Sequence, residues 1–390
     1  MPHPRRPRFL ALFAVLALGT IALTLWMSRP APPRYSVTDL GVLPGDGGSG
    51  ASAINNSGDV VGLSSAAGGM PSASTVFHVF FYRSGRMART GMTLGRTLRE
   101  ALAINDRGQV ASQFAASPKA GYACLWAAGT QQDLETLPGL LETFAAGLNN
   151  RGQVVGGAAA VRDGAGKPPP AQAFLFSGGR MTLLPPPPGC TEVVASGIND
   201  AGQVVVNPYG GRPSQPFLYD TRTGKWTALA LPTGAQWGRA SALNSQGQAA
   251  GSAGTFIGTF NTEPSTHAVL WSGGVATHLD TLPGAANSEA FALNGRGEVV
   301  GFADFGPSAA GEAIGMRLRE SNPLRRLFRT HFTRRAFVWR AGRMADLNDL
   351  IRPDSGWTLV EARGINDRGQ IVGNGEHNGQ QRAFLLTPLR

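Results

Sequence analysis

Gly364-Ile365-Asn366-Asp367-Arg368-Gly369-Gln370-Ile371-Val372 is the stretch on which the reading of this chain turns. Its pattern is a small residue, Ile or Leu, Asn, two variable residues, Gly, a polar residue and a short aliphatic run. The pattern begins at Ala53, Ala103, Gly147, Gly197, Ala242, Ala292 and Gly364, and its asparagines are Asn55, Asn105, Asn149, Asn199, Asn244, Asn294 and Asn366. Successive asparagines lie 50, 44, 50, 45, 50 and 72 residues apart, the signature of a repeat architecture. Asn at the first position and Gly at the fourth suit a type I turn closed by a residue with positive φ, which glycine adopts without steric cost, so the flanking segments pair as a hairpin.

Working outward, each turn is followed by an apolar, aromatic run. The runs are His78 to Tyr82, Tyr122 to Trp126, Gln172 to Phe176, Gln215 to Tyr219, His267 to Trp271, Arg335 to Trp339 and Arg382 to Leu386. A third element reads most clearly in Asp39-Leu40-Gly41-Val42-Leu43-Pro44-Gly45. It recurs at Asp133 to Gly139 and Leu279 to Gly284, and more loosely at Met181 to Leu184, Trp226 to Leu231 and Met344 to Leu347. Each unit thus reads as four short strands, called A, B, C and D here, over about 51 residues, the size of one four-stranded propeller blade. The first unit opens on a lone D strand, Tyr35 to Leu43, and the last stops after its C strand at Leu386, so one end supplies the strand the other lacks. These features predict an all-β, seven-bladed β-propeller of four-stranded antiparallel blades, closed by the N-terminal strand pairing with the last blade. A β-solenoid, the main rival, would have no use for the split blade and would require polar capping repeats.

The Ile-Asn-Asp-Arg-Gly-Gln turn, the His-Ala-Phe-Leu-Trp-like run and the Asp-Leu-Gly-x-Leu-Pro-Gly segment together resemble the bacterial extracellular HAF repeat proteins. The resemblance covers residues 35–390 and implies an exported, β-propeller-like protein, with no catalytic residue set attached to it. Val79, Cys124, Pro216 and Val269 depart from the family pattern.

The ends and the charge separate the chain into parts. Arg5, Arg6 and Arg8 precede an uncharged apolar run from Phe9 to Met27, followed by a Pro-rich spacer at Pro30 to Pro33. Residues 1–34 therefore read as an uncleaved membrane anchor with the basic end cytoplasmic, or alternatively as a signal segment that is removed; residues 35–390 lie outside in either case. The net charge is +10, but five arginines sit in residues 1–34 and seven lie between Arg317 and Arg335 against one acid, Glu320. The remainder holds 23 basic and 24 acidic residues, which argues against a nucleic-acid-binding surface. Two cysteines, Cys124 and Cys190, are too few for a disulfide framework or a zinc site, and Cys124 falls at an apolar strand position.

No HExxH, GxSxG, Walker or CxxC pattern occurs, and no cofactor or metal site is predicted. His78 and His267 open C strands where other repeats hold Tyr122, Gln172, Gln215, Arg335 and Arg382, so they read as structural. Asp39, Asp133, Asp280 and Asp346 recur with the D strand and read as turn or blade contacts. Asp106, Asp200 and Asp367 each stand alone in their turns, without the oxygen ligands calcium needs. The A–B and C–D turns are short, whereas the B–C loops vary from about nine residues after Val206 to over thirty after Gly301. The variable-loop face is thus the expected binding surface for a protein or a glycan. Its largest loop is an Arg-rich insertion at about 305–335, where Arg317, Arg319, Arg325, Arg326 and Arg329 alternate with Phe328 and Phe332 and could meet a membrane surface or an acidic partner. The function expected is a non-catalytic interaction scaffold. The alternative is a hydrolase or lyase with its active site in the central channel.

Overall fold

The computed structural model describes residues 34–66, 77–91, 103–117, 120–134, 136–160, 170–209, 214–255, 265–305 and 334–389. Seven four-stranded antiparallel sheets form the blades of a closed propeller. Blade 1 comprises Gly48–Ile54, Val60–Ser65, Phe77–Arg83 and Arg86–Arg89, and blade 2 comprises Ala103–Ile104, Val110–Ser117, Ala120–Ala127 and Thr130–Asp133. Blade 3 uses Glu142–Leu148, Val154–Ala159, Gln172–Ser177 and Arg180–Leu183, and blade 4 uses Val193–Ile198, Gln203–Pro208, Phe217–Asp220 and Lys225–Ala228. Blade 5 is Trp237–Leu243, Ala249–Gly254, Thr266–Ser272 and Val275–His278; blade 6 is Asn287–Leu293, Val299–Asp304, Arg334–Arg340 and Arg343–Asp346. Blade 7 takes Trp357–Ile365, Ile371–His377 and Gln380–Pro388 from one end of the chain and Tyr35–Asp39 from the other. That last strand runs antiparallel to its neighbour from Tyr35 opposite Pro388 to Asp39 opposite Phe384, which is the closure the split repeat predicts.

The core is distributed between the blades. Seven apolar clusters of described residues each straddle one blade-to-blade interface: Leu125 and Phe174 join blades 2 and 3, Leu270 and Phe337 join blades 5 and 6, and Val338 and Phe384 join blades 6 and 7. The third sequence element finds its reason here. Leu40, Leu134, Leu184, Leu229, Leu279 and Leu347 are each 7% exposed or less, and each seats its side chain in one of these interfaces. The strand itself is shorter than Tyr35 to Leu43: it ends at Asp39, because Gly41 and Gly45 take φ of +81° and +87° and turn the chain toward the next blade. Side-chain hydroxyls add stitches between blades, with Ser49 accepting from the Ala383 amide at 3.0 Å and Ser288 from the Ala268 amide at 3.0 Å.

Connections fall into two classes. The glycine of every A–B turn has φ between +74° and +86°. Five of the C–D turns are two-residue hairpins such as Ser84-Gly85 and Ala341-Gly342, with positive φ at both positions as primed turns require. B–C connections on the opposite face vary as expected, the longest spanning from Asp304 to Arg334, but that of blade 7 closes in two residues. In blade 7 the Asn378-Gly379 turn, φ +50° and +78°, accounts for that tightness.

Candidate functional site

The A strands ring the central channel, each touching the A strands of its two neighbours. The approach is close. A Cβ on Gly147 would lie 2.9 Å from the Cα of Gly197 in the next blade, which explains the small residue two places before each Asn.

At the A–B end the seven asparagines form an unbroken belt. Each side-chain amide donates to the backbone carbonyl of the next asparagine, from Asn55 through Asn105, Asn149, Asn199, Asn244, Asn294 and Asn366 back to Asn55, at 2.9 to 3.1 Å. The second amide proton goes to the side chain four residues on: Asp59, Gln109, Gln153, Gln203, Gln248, Glu298 or Gln370. The repeat therefore needs an amide at the first turn position and a side-chain acceptor at the fifth, beyond what turn geometry alone demands. Outside the belt, Asp367, Asn56, Asp106, Asn150 and Asp200 alternate in an exposed ladder of inter-blade hydrogen bonds. These aspartates, isolated in sequence, are thus neighbours in space, yet no group of three or more potential metal ligands occurs among the described residues.

Above the belt the channel wall is set by the A-strand residues five and three places before each Asn. A β-bulge falls at the latter position in six blades. These pairs are Gly50 and Ser52 in blade 1, Phe144 and Ala146 in blade 3, and Val194 and Ser196 in blade 4. Blades 5 to 7 break with that apolar, small lining, carrying Arg239 and Ser241, Glu289 and Phe291, and Glu361 and Arg363. Glu361, 5% exposed, is held by Arg334 at 2.5 Å on one oxygen and by Arg363 at 2.5 and 2.9 Å on the other. The two guanidiniums lie over Phe302 and Phe291, each 4.2 Å from the ring centroid, and the two rings are themselves in contact at 5.4 Å. Burial pushes the Glu289 carboxyl above the usual carboxylate range, against the pull of Arg239, Arg363 and Arg334 and with some help from Glu361. Glu289 receives no hydrogen bond from another described side chain.

Arg317, Arg319, Arg325, Arg326, Arg329, Phe328 and Phe332 lie outside the described residues, as does the apolar run Phe9 to Met27; among the described residues no helix is long and apolar enough to cross a membrane. The insertion is shorter at its end than the sequence suggests, because Arg334 and Arg335 belong to a blade: Arg334 pairs with Glu361, and Arg335 with Asp346 at 3.0 Å. His78 bonds Asp46 at 2.9 Å and His377 bonds Asp39 at 2.9 Å, both on the loop face, while Asp346 caps the short 3-10 turn Leu347–Leu350. Cys124 and Cys190 are both free thiols, and burial pushes Cys124 up to about 12, leaving it a small apolar filler at neutral pH. Aligning the seven copies on their asparagines places Arg239, Glu289, Phe291, Glu361 and Arg363 opposite Gly50, Ser52, Ala146, Val194, Ser196 and Ser241, with Glu100, Leu102 and Phe144 as the other large side chains in the set.

The fold and its channel define a closed seven-bladed β-propeller with one mouth belted by asparagine and, among the described residues, a polar wall along blades 5 to 7. No protein-family model matches the chain, and no curated protein matches it in sequence. Among solved structures, an oligogalacturonate lyase from Vibrio parahaemolyticus is similar with a TM-score of 0.55 at 9% identity, over 92% of this chain and 97% of that one. The β-propeller domain of the trilobed protease from Pyrococcus furiosus gives 0.48 at 9% identity over 87% and 94% of the two chains. A prolyl endopeptidase gives 0.49 at 11% identity over 92% of this chain. The chain spans about half the length of that endopeptidase and of a similar acylaminoacyl peptidase from Pyrococcus horikoshii. Likeness at these identities carries the propeller fold and nothing of the chemistry.

Proposed function

We propose that this propeller is an exported, non-catalytic binding scaffold of the cell envelope, taking a protein or a glycan on the face that carries the B–C and D–A loops and the unbelted mouth of the channel. The observation that carries the reading is the segregation of irregularity. Turns on the belted face repeat almost without change, whereas B–C connections on the other range from two residues in blade 7 to the stretch between Asp304 and Arg334 in blade 6. Loops on a rigid scaffold are where binding specificity is usually placed. The apolar run behind Arg5, Arg6 and Arg8 supports export through an uncleaved anchor, with cleaved secretion as the alternative, and the likeness to HAF repeats supports the same address. The Arg-rich loop, including Arg317 and Phe328, is a further candidate contact with an anionic membrane surface or an acidic partner.

The test is to replace the B–C connections of blades 1, 3 and 5 with the Asn378-Gly379 hairpin of blade 7 and compare capture from native envelope extract. The scaffold reading requires that the captured set disappear while the melting temperature holds; capture of the same set would sink it. One observation favours a second reading, a hydrolase or lyase: Glu289 is a carboxyl biased toward its neutral form inside the channel, as a general acid would be. Turnover of a glycan or peptide panel that vanishes in Glu289→Gln would favour that alternative. Against it, Glu361 is committed to two arginines and is not free to serve as the second group.

A further inference from the structure

Where blade 5 meets blade 6, polar groups of the channel wall lack the partners that their counterparts have one interface earlier. Between blades 4 and 5, Asn207 clasps the backbone of Ala240, accepting from its amide at 2.9 Å and donating to its carbonyl at 2.9 Å. The hydroxyl of Ser196 donates to the same carbonyl at 2.6 Å. Ser252 holds the place of Asn207 in the next blade: Asn207 pairs across the strands with Val194, and Ser252 with Arg239. Serine is too short to make the clasp. Its Oγ has no hydrogen-bond partner among the described residues although Ser252 is only 3% exposed. On the same face Arg239 is exposed and makes no side-chain hydrogen bond to another described residue. Across the interface stands Glu289, equally without one. Beyond it, between blades 6 and 7, the network of Arg334, Glu361 and Arg363 fills the corresponding space.

We infer that the cleft between blades 5 and 6 binds the carboxylate of a small anionic ligand, with Arg239 as its anchor and Glu289 and Ser252 as hydrogen-bond donors. This deepens the scaffold reading by naming a ligand class, and it rests on that reading for access through the loop face. The charges that face Glu289 are Arg239 on the A strand of blade 5, Arg334 on the C strand of blade 6, and Glu361 and Arg363 on the A strand of blade 7. Both oxygens of Glu361 are taken by arginine and Asp304 lies 3.9 Å from Arg334, so three guanidiniums stand against two committed carboxylates and Glu289, which leaves one net positive charge when Glu289 is neutral. The cleft therefore favours an anion. A planar carboxylate meets the fork of a guanidinium in two parallel hydrogen bonds. The neutral carboxyl of Glu289 can donate to the same anion, and its ionised form repels it, so affinity rises as pH falls through the titration of Glu289. Arg239 also differs from its counterparts Gly50, Phe144 and Val194, none of which can hold an anion.

The experiment titrates the full chain with succinate and D-glucuronate at pH 5 and pH 8, following ligand resonances by saturation-transfer NMR, with D-glucose and inorganic phosphate alongside. Both carboxylates are expected to bind saturably, about tenfold more tightly at the lower pH, and glucose not at all. Arg239→Ala is expected to abolish binding; because Arg239 is exposed, the variant should fold, and Arg239→Lys, which keeps the charge without the fork, should weaken binding about tenfold as an independent check. Glu289→Gln, a permanent donor, should flatten the pH profile. Absence of saturable carboxylate binding at both pH values, affinity unchanged in Arg239→Ala, or phosphate binding more tightly than either carboxylate would each overturn the proposal. The cleft residues lie outside the exchanged loops. No carboxylate binding alongside loop-dependent capture would thus overturn the cleft alone, whereas carboxylate binding without loop-dependent capture would uphold the cleft and overturn the scaffold reading.

Discussion

Asn199 has every hydrogen-bonding atom of its side chain occupied: the oxygen accepts from the Gln203 amide at 3.0 Å, and the nitrogen donates to Gln203 Oε1 at 2.8 Å and to the Asn244 carbonyl at 3.0 Å. An aspartate has the same shape and no donor. Asn199→Asp would press a carboxylate oxygen against two acceptors at a residue 5% exposed, a like-polarity contact. A loss of about 2 kcal/mol or more is expected in urea unfolding, against about 1 kcal/mol or less for the same change at exposed Asn378, whose side chain makes no belt bond. Equal effects at the two sites would mean that the belt bonds contribute little. At this scale the sequence was only half readable. The repeated Asn and Gly stand out because a turn needs them, but nothing in a single repeat tells that the amide reaches its neighbour, since the acceptor is a backbone carbonyl some fifty residues away.

The A strand with its bulge is the element that shapes the channel. The bulge brings the carbonyl of the residue five places before the Asn so close to the B strand that a Cβ at Gly301 would meet the Glu289 oxygen at 1.8 Å, and one at Gly373 would meet that of Glu361 at 1.9 Å. Gly301→Ala should therefore straighten or displace the A strand of blade 6, at a cost of about 2 kcal/mol or more, and disturb the placement of Glu289 beside Arg239. Melting curves would register the first effect, and weakened succinate binding by the folded variant the second. A variant as stable as the parent would show that the strand can shift without penalty. The strands themselves were legible because β-branched and aromatic runs between turns have few alternatives. The wall residues were not, because a bulge changes which side chains face inward, and alternation alone does not reveal it.

For the whole molecule, the split blade makes stability depend on chain ends that are far apart in sequence. Deleting Tyr35–Asp39 would leave Gln380–Pro388 as an open edge, remove the 3%-exposed Tyr35 from the interface of blades 6 and 7, and free His377 and Arg382 from Asp39. The deletion is expected to lower the melting temperature and to promote concentration-dependent association through the bare strand, measurable by light scattering; a monomer of unchanged stability would contradict that role. Closure was the feature most legible in the sequence, since the missing strand at one end and the spare one at the other can be counted. The belt imposes a second condition, of arithmetic rather than adhesion. Seven amides serve seven carbonyls in a circle, so a ring with one blade absent or displaced leaves a donor and an acceptor stranded at the break. The link from Asn366 to Asn55 can form only when every blade between them is in register. Removing or duplicating a repeat, tolerated in an open solenoid at the cost of one interface, should here trip the whole circuit, and unfolding should proceed as one transition with no terminal blade fraying ahead of the rest.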